Sequence, residues 1–391
     1  MASQPPQELP VDLPELNVPA GYFSIIPSLS VYTPVNTFRF HVLQEQQSTL
    51  VFPKASSSFS HSPPSPTYDP SMLARDPIPP SKYLRLLKKH LAGLPDSAQL
   101  SLHSIRNPVR NEELMPLWVI TVWDEVSALR DSRDMWNDAY SWVKSLQATQ
   151  QHGDHTHITF VHFATLGWNA PLSHYGLRGV TTLTLPQFLS NNRINNEAVD
   201  LMAHFLSSKN ALPSGVLVAQ LSLSNFISSI RADDISLLPS PSHIQQIEQQ
   251  LSHISELYFP SFYREYQHWI AFKVNITRKE VTYSRFHSCS VLLVHLNALA
   301  GDSMGNSLPK PDMFIKNLLL WLNRCCDPGF KFSGRKLATG SQRDSSSCGF
   351  FAMNAISHAV FDAELLEHEG IHSHRLEWFN NLCAAIDDQV G

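Results

Sequence analysis

The sequence predicts an α+β protein whose ordered part follows a proline-rich leader. Three observations carry this. Residues 1 to 80 hold 15 of the 27 prolines, a density that works against packed helices and strands. Beyond Pro80, several windows repeat apolar residues at helical spacing. Between those windows lie short apolar runs of strand length, above all His268–Val274 and Glu280–Tyr283.

Taken in order, residues 1–80 read as a Pro/Ser-rich, largely disordered segment, with Ala55–Pro80 unable to bury a core. Tyr22–Ile26 and Phe38–Leu43 are apolar enough to dock as strands. Residues 81–175 read as a mostly helical accessory region. Tyr83–Leu94 is amphipathic with a basic outer face, and Leu117–Val126 is apolar. In Met135–Leu146, Trp136, Tyr140 and Val143 form a stripe that serves packing or binding. His152, His155, His157 and His162 lack a Cys or carboxylate at metal-ligand spacing. From residue 176 to 391 a third region begins. Val180–Leu185 reads as a strand, Asn192–Ser208 and Ser242–Leu257 as helices. Pro311–Leu322 and Gly349–Phe361 read as further helices.

Composition narrows the functions. A net charge of −5 with 16% charged residues leaves no basic footprint for nucleic acid or membrane. Five cysteines at irregular spacing argue against a disulfide framework and for a reducing compartment. The first residues carry no basic and apolar signal pattern, and the longest apolar run, Val291–Ala300, is too short to span a bilayer. The expected setting is intracellular, nucleus or cytoplasm. The sequence leaves the oligomeric state open.

The chemistry centres on Cys348. It follows Gln342-Arg343-Asp344-Ser345-Ser346-Ser347 and opens an apolar helix beginning with Gly349. A helix N-terminus favours a thiolate, and its free N–H groups can face an oxyanion. A cysteine there also fits as a small buried hydrophobe. A thiolate nucleophile needs a base and the base an orienting group. His268, opening a strand before Trp269, and Asp302, in Gly301-Asp302-Ser303, are the candidates.

The His-Trp strand, the Gly-Asp-Ser turn and Gln-x-Asp-Ser-x-Ser-Cys-Gly opening a helix resemble the ubiquitin-like-protein proteases. These are SUMO-deconjugating cysteine peptidases related to adenovirus protease. The order His268, Asp302, Gln342, Cys348 is the family's, and the resemblance covers roughly residues 180 to 391. It implies a papain-like, adenain-like α+β catalytic domain over 176–391. It also implies hydrolysis of peptide or isopeptide bonds after a Gly-Gly tail, with a ubiquitin-like modifier as partner. Gln342 would donate to the oxyanion, and no metal or cofactor is needed. With its Pro-rich and helical leader, the chain resembles fungal, transposon-associated members.

Two departures stand out. His268 and Asp302 lie 34 positions apart, about twice the family spacing, and removing residues 284–300 restores it. That segment reads as a retained intron or a true insertion, which sequencing the mature transcript separates. Second, the family's Trp-Leu-Asn-Asp helix start is Arg193-Ile194-Asn195-Asn196 here. In the family that Trp clamps the Gly-Gly tail together with the Trp after the catalytic His. Trp269 is kept and Arg193 is not aromatic, so Trp269, Arg193, Asn195 and Gly349 become the expected substrate contacts. Two rival readings remain. One is a protease-fold binding module that has lost activity. The other is a zinc hydrolase built on His368-Glu369-Gly370-Ile371-His372.

Overall fold

The computed structural model describes residues 29–41, 43, 53–74, 76–108, 110, 113–149, 152–172, 179–230, 240–284 and 312–387. The chain divides into two units, Met1–Asn137 and Asp138–Gly391. Tyr22–Ile26 lies outside the described residues. So do residues 285–311, with Cys289, Asp302 and all but the first residue of the segment read as inserted.

In the first unit, helix α1 (Ser81–Ala92) buries Tyr83, Leu84, Leu87 and Leu91, the stripe its spacing predicts. These residues share a core with Ile105, Met115, Val119, Ile120 and Trp123. A three-stranded antiparallel sheet joins β1 (Phe59–Ser60), β2 (Ser104–Arg106) and β3 (Leu114–Pro116). Part of the segment expected to be disordered is therefore ordered, because Phe59 pairs with Ile105 across the sheet. Phe38, expected in a strand, instead closes a helical turn, Val35–Phe38, and is buried. Pro34 starts that turn, and its carbonyl accepts the N–H groups of Thr37 and Phe38. The long helix α2 (Val119–Ala148) contains the predicted Met135–Leu146 window, with Trp136 and Val143 buried.

The second unit is built on a five-stranded mixed sheet in the order β4-β5-β6-β7-β8. Its strands are β4 (Val216–Val218), β5 (Glu256–Tyr263), β6 (His268–Asn275), β7 (Glu280–Ser284) and β8 (Lys331–Leu337). The central three are antiparallel, and each outer strand joins in parallel. The predicted strands at 268 and 280 are β6 and β7.

Alternation along β6 decides which helices cover which face. Ile270, Phe272 and Val274 enter a core with α5 (Leu221–Ser229), α6 (Ser242–Gln250) and α7 (Asp312–Cys325), through Leu223, Ile227, Ile244, Leu318 and Trp321. Helix α8 (Cys348–Phe361) packs against β6 and β5 and also meets α4 (Asn196–Ser208). Eleven of its 14 residues are buried, so it has almost no solvent face and must be wrapped on every side. The His-rich tract forms α3 (Gly153–Thr165), which packs on α9 (Ile371–Asp387), with Phe163 against Phe379.

Two local expectations are overturned. Val180–Leu185 is not a strand. Thr182–Phe188 forms a 3-10 helix, opened by the Thr181 hydroxyl accepting the Leu183 N–H. Among the described residues, pairing of this segment is limited to one bridge, Pro171 with Thr181, beside which the Thr182 hydroxyl donates to the Gly167 carbonyl. The helix from Ser242 stops at Gln250, and Leu257 belongs to β5, where it packs into the sheet core.

Phe272 lies among Phe259, Phe314 and Tyr283, with ring centroids 5.3, 4.8 and 5.7 Å away. Phe272→Ala should destabilise the second unit by about 3–5 kcal/mol. Urea denaturation checks this, and a loss below about 1 kcal/mol would mean the ring is not central to this core.

Candidate active site

The site begins with the turn that enters α8. The Asp344 carboxylate accepts the N–H groups of Ser346 and Ser347 at 2.9 and 2.8 Å, and the Ser347 hydroxyl at 2.7 Å. A carboxylate folding back on its own following N–H groups is the Asx arrangement that makes Asp-Ser runs turn. Burial would raise the Asp344 carboxyl, but the bonds from Ser347, Ser346 and Gln342 outweigh it and hold it below its usual range. The turn delivers Cys348 as the first helical residue of α8, 1% exposed.

Strand β6 starts beside that sulfur. The backbone N–H groups of Trp269 and Gly349 both face the Cys348 thiol. A Cβ on Gly349 would fall 2.7 Å from the Ile194 side chain and 3.3 Å from Trp269, so only glycine fits between them. Trp269, 2% exposed, leans on Phe262 with ring centroids 5.0 Å apart.

Charge completes the site. Arg193 Nε donates to the Ser345 carbonyl at 2.6 Å and its Nη1 to the Gln267 carbonyl at 3.1 Å. It bridges the turn before Cys348 and the residue before His268, and its charge acts on both side chains. Burial, with the Arg193 charge added, pushes the half-buried His268 imidazole down to about 4. Burial pushes the Cys348 thiol up, against the opposing pull of the Trp269 N–H, Arg193 and the Gly349 N–H. Near neutral pH Cys348 therefore rests as a thiol and His268 as a neutral imidazole.

Arg375, on α9, is 1% exposed. Its guanidinium lies over the Phe350 ring at 4.4 Å and donates to the Asn192 carbonyl at 2.9 Å and the Ser347 hydroxyl at 3.4 Å. Burial pushes it down to about 10, offset in part by Asp344 and Cys348, so it stays cationic at neutral pH. Sequence reasoning missed this residue. Its signal is an arginine in the apolar stripe Ile371, Trp378, Phe379 and Leu382, all buried.

Of the residues singled out in the sequence, His268, Trp269, Arg193, Gly349 and Cys348 meet here. Gln342 is buried beside them, but its Nε2 donates to the Asp344 carbonyl at 2.7 Å and to its carboxylate at 3.2 Å. Asn195 caps α4, accepting the Ala198 N–H at 3.0 Å. His368 sits on a 3-10 turn and His372 in the helix after it, so the two do not share one helix. Among the described residues, no three His, Cys, Asp or Glu side chains are grouped to hold a metal ion. The Cys325 thiol donates to Glu248 at 3.2 Å and is pushed up to about 12, mainly by burial and then by that bond. A cavity of about 510 Å³ opens elsewhere, lined by Phe205, Lys209, Phe361, His374 and Trp378, and none of the five residues that meet at Cys348 lines it. Among the described residues, no helix is long and apolar enough to cross a membrane.

No protein-family model and no curated protein sequence matches the chain. Solved structures do. The C-terminal Ulp1 protease domain in complex with Smt3, the yeast ortholog of SUMO, matches at 12% identity and TM-score 0.38, over 53% of this chain and 84% of that one. The SUMO protease Ulp1 with its catalytic cysteine oxidized to a sulfenic acid matches at 12% identity and TM-score 0.39, over 53% and 84%. Its sulfonic acid form matches at 12% identity and TM-score 0.39, over 53% and 85%. The likeness is loose at these TM-scores, and the case for the site stands on its own residues.

Gly349→Ala should cost about 1–3 kcal/mol through overpacking against Ile194. Adding Ile194→Val should recover part of the loss, and a double-mutant cycle without coupling would disprove the contact. A second expectation concerns pH. Because the folded His268 pKa lies below its ordinary 6.5, the unfolded chain binds a proton that the folded chain refuses between pH 6.5 and about 4. Its contribution is present in full above 6.5 and lost as pH falls toward 4. His268→Gln should flatten the stability profile in that window by on the order of 2 kcal/mol, after allowance for partial exposure. Urea midpoints measured across the window report it.

Proposed function

We propose that the second unit is a cysteine peptidase that cleaves peptide or isopeptide bonds of a ubiquitin-like, SUMO-like modifier, with Cys348 as nucleophile. One observation carries the reading. A cysteine opens a buried helix with the N–H groups of Trp269 and Gly349 facing its sulfur, beside a strand that His268 begins.

The chemistry follows from that placement. A substrate carbonyl enters beside the sulfur. His268, neutral at rest, takes the thiol proton as Sγ bonds to the carbonyl carbon. The oxygen gains the negative charge and is met by donors at the head of α8, where the helix dipole also favours an anion. His268 then returns its proton to the leaving amine, and water hydrolyses the thioester. Asp302 is the proposed orienting carboxylate for the imidazole. Gln342 is the proposed side-chain oxyanion donor, and to act it must exchange its bonds to Asp344 for one to the oxyanion. Trp269 and Gly349 would line the narrow passage that admits a Gly-Gly tail and excludes side chains. No metal or cofactor enters these steps, and the proposed setting is intracellular, where the thiol stays reduced.

A second reading is a binding module without turnover. The 1% exposure of Cys348 favours it, because a nucleophile must be reached.

The deciding experiment treats the full chain with a ubiquitin-like modifier bearing a C-terminal electrophile. The expected result is a covalent adduct at Cys348, lost in Cys348→Ser, with that variant also losing turnover by at least about 10⁴-fold while keeping its unfolding midpoint. Tight non-covalent binding without an adduct would select the binding module.

A further inference from the structure

Among the described residues Arg193, like Arg375, bonds neutral acceptors, whereas several other arginines meet carboxylates. Arg110, Arg324 and Arg343 each meet a carboxylate, at 2.6, 2.9 and 2.6 Å. Arg193 is half-buried, and among the described residues its hydrogen bonds run only to two neutral carbonyls, those of Ser345 and Gln267. A guanidinium has five N–H donors, so donors remain after those two bonds.

This placement carries two costs. A positive charge partly withdrawn from water without a counter-ion is unfavourable. The same charge also opposes the imidazolium that His268 must become during attack, because like charges disfavour one another at close range. An anion docked on the free side of the guanidinium relieves both at once. The two carbonyl bonds already fix the plane of the group, so it presents a preorganised fork to a carboxylate. Tyr or Trp at this position would supply a flat wall and no charge.

We infer that Arg193 is a specificity-determining residue that pairs with an acidic side chain of the substrate, an Asp or Glu within a few residues upstream of the Gly-Gly tail. This rests on the cysteine-peptidase reading of Cys348. It adds which tails the site prefers: those with a carboxylate within a few residues upstream of the Gly-Gly, over neutral or basic ones.

The test uses the full chain and a panel of peptide probes ending in Gly-Gly with a C-terminal electrophile. Glu, Gln or Lys is placed one, two or three residues before the Gly-Gly, and the rate of adduct formation at Cys348 is read by mass spectrometry. The wild-type chain should react at least about tenfold faster with Glu than with Gln at one of these positions, the worth of a charge-assisted pair. Arg193→Lys should keep part of that preference, Arg193→Gln should erase it, and Arg193→Glu should turn it toward Lys. Equal rates for Glu, Gln and Lys at all three positions in the wild type overturn the inference and leave the peptidase reading in place. That comparison needs no variant to fold. Failure of every probe to modify Cys348 removes the peptidase reading, and the inference with it.

Discussion

The second unit depends on the burial of one helix end. Helix α8 is apolar on every side, so its first residues lie inside the protein rather than at the surface. A buried helix N-terminus exposes N–H groups to nothing unless the chain supplies acceptors. The Ser347 carbonyl takes the N–H groups of Phe350 and Phe351, and Asp344 shapes the turn ahead of them by taking the N–H groups of Ser346 and Ser347. The same demand fixes the neighbours. The residue after Cys348 is glycine because Ile194 and Trp269 close over it. The surroundings of Cys348 are in this sense set by the burial of a helix end.

Two arginines then divide the electrostatic work. Arg375 lies behind the turn, nearly sealed from water, stacked on Phe350 and close enough to feel both Asp344 and Cys348. Arg193 is tied to the two backbone segments that lead into Cys348 and His268. Burying a thiol raises its cost of ionisation, and a buried site of low polarity makes nearby cations count for more than they would in water. One charge belongs to the scaffold. The other joins two segments of backbone and keeps donors to spare.

Much of this was legible in the sequence, for identifiable reasons. Strands β6 and β7 and helices α4 and α8 announced themselves by period and by the Asp-Ser run before Cys348, though α4 is capped by Asn195 and not by the Asn192 that opens its window. His268, Trp269 and Cys348 were readable because a cysteine at a helix start asks for a base. The failures have physical causes as well. Val180–Leu185 has the composition of a strand, yet the Thr181 hydroxyl caps the Leu183 N–H and the chain turns into a 3-10 helix from Thr182. The helix drawn through to Leu257 overlooked that Glu256–Tyr263 has the β-former content of a central strand. Arg375 was passed over because a charged residue on an amphipathic helix is ordinarily solvated, and only tertiary packing shows that its stripe faces inward. The binding of Gln342 to Asp344 was out of reach, since spacing says nothing about which acceptor an amide selects.

The order of residues along the chain has a temporal side. Arg193 and His268 are synthesised before Cys348, and Arg375 after it. A growing polypeptide that has just emerged past residue 348 holds the thiol, the Arg193 guanidinium and the imidazole, but not the buried guanidinium bonded to Ser347. Until α9 is made and docks, the turn before Cys348 lacks the support behind it and a positive charge near the sulfur. The nascent cysteine therefore behaves as an ordinary thiol, and its special environment is the last part of the site to be assembled. An unfinished chain therefore carries a thiol that burial has not yet pushed up.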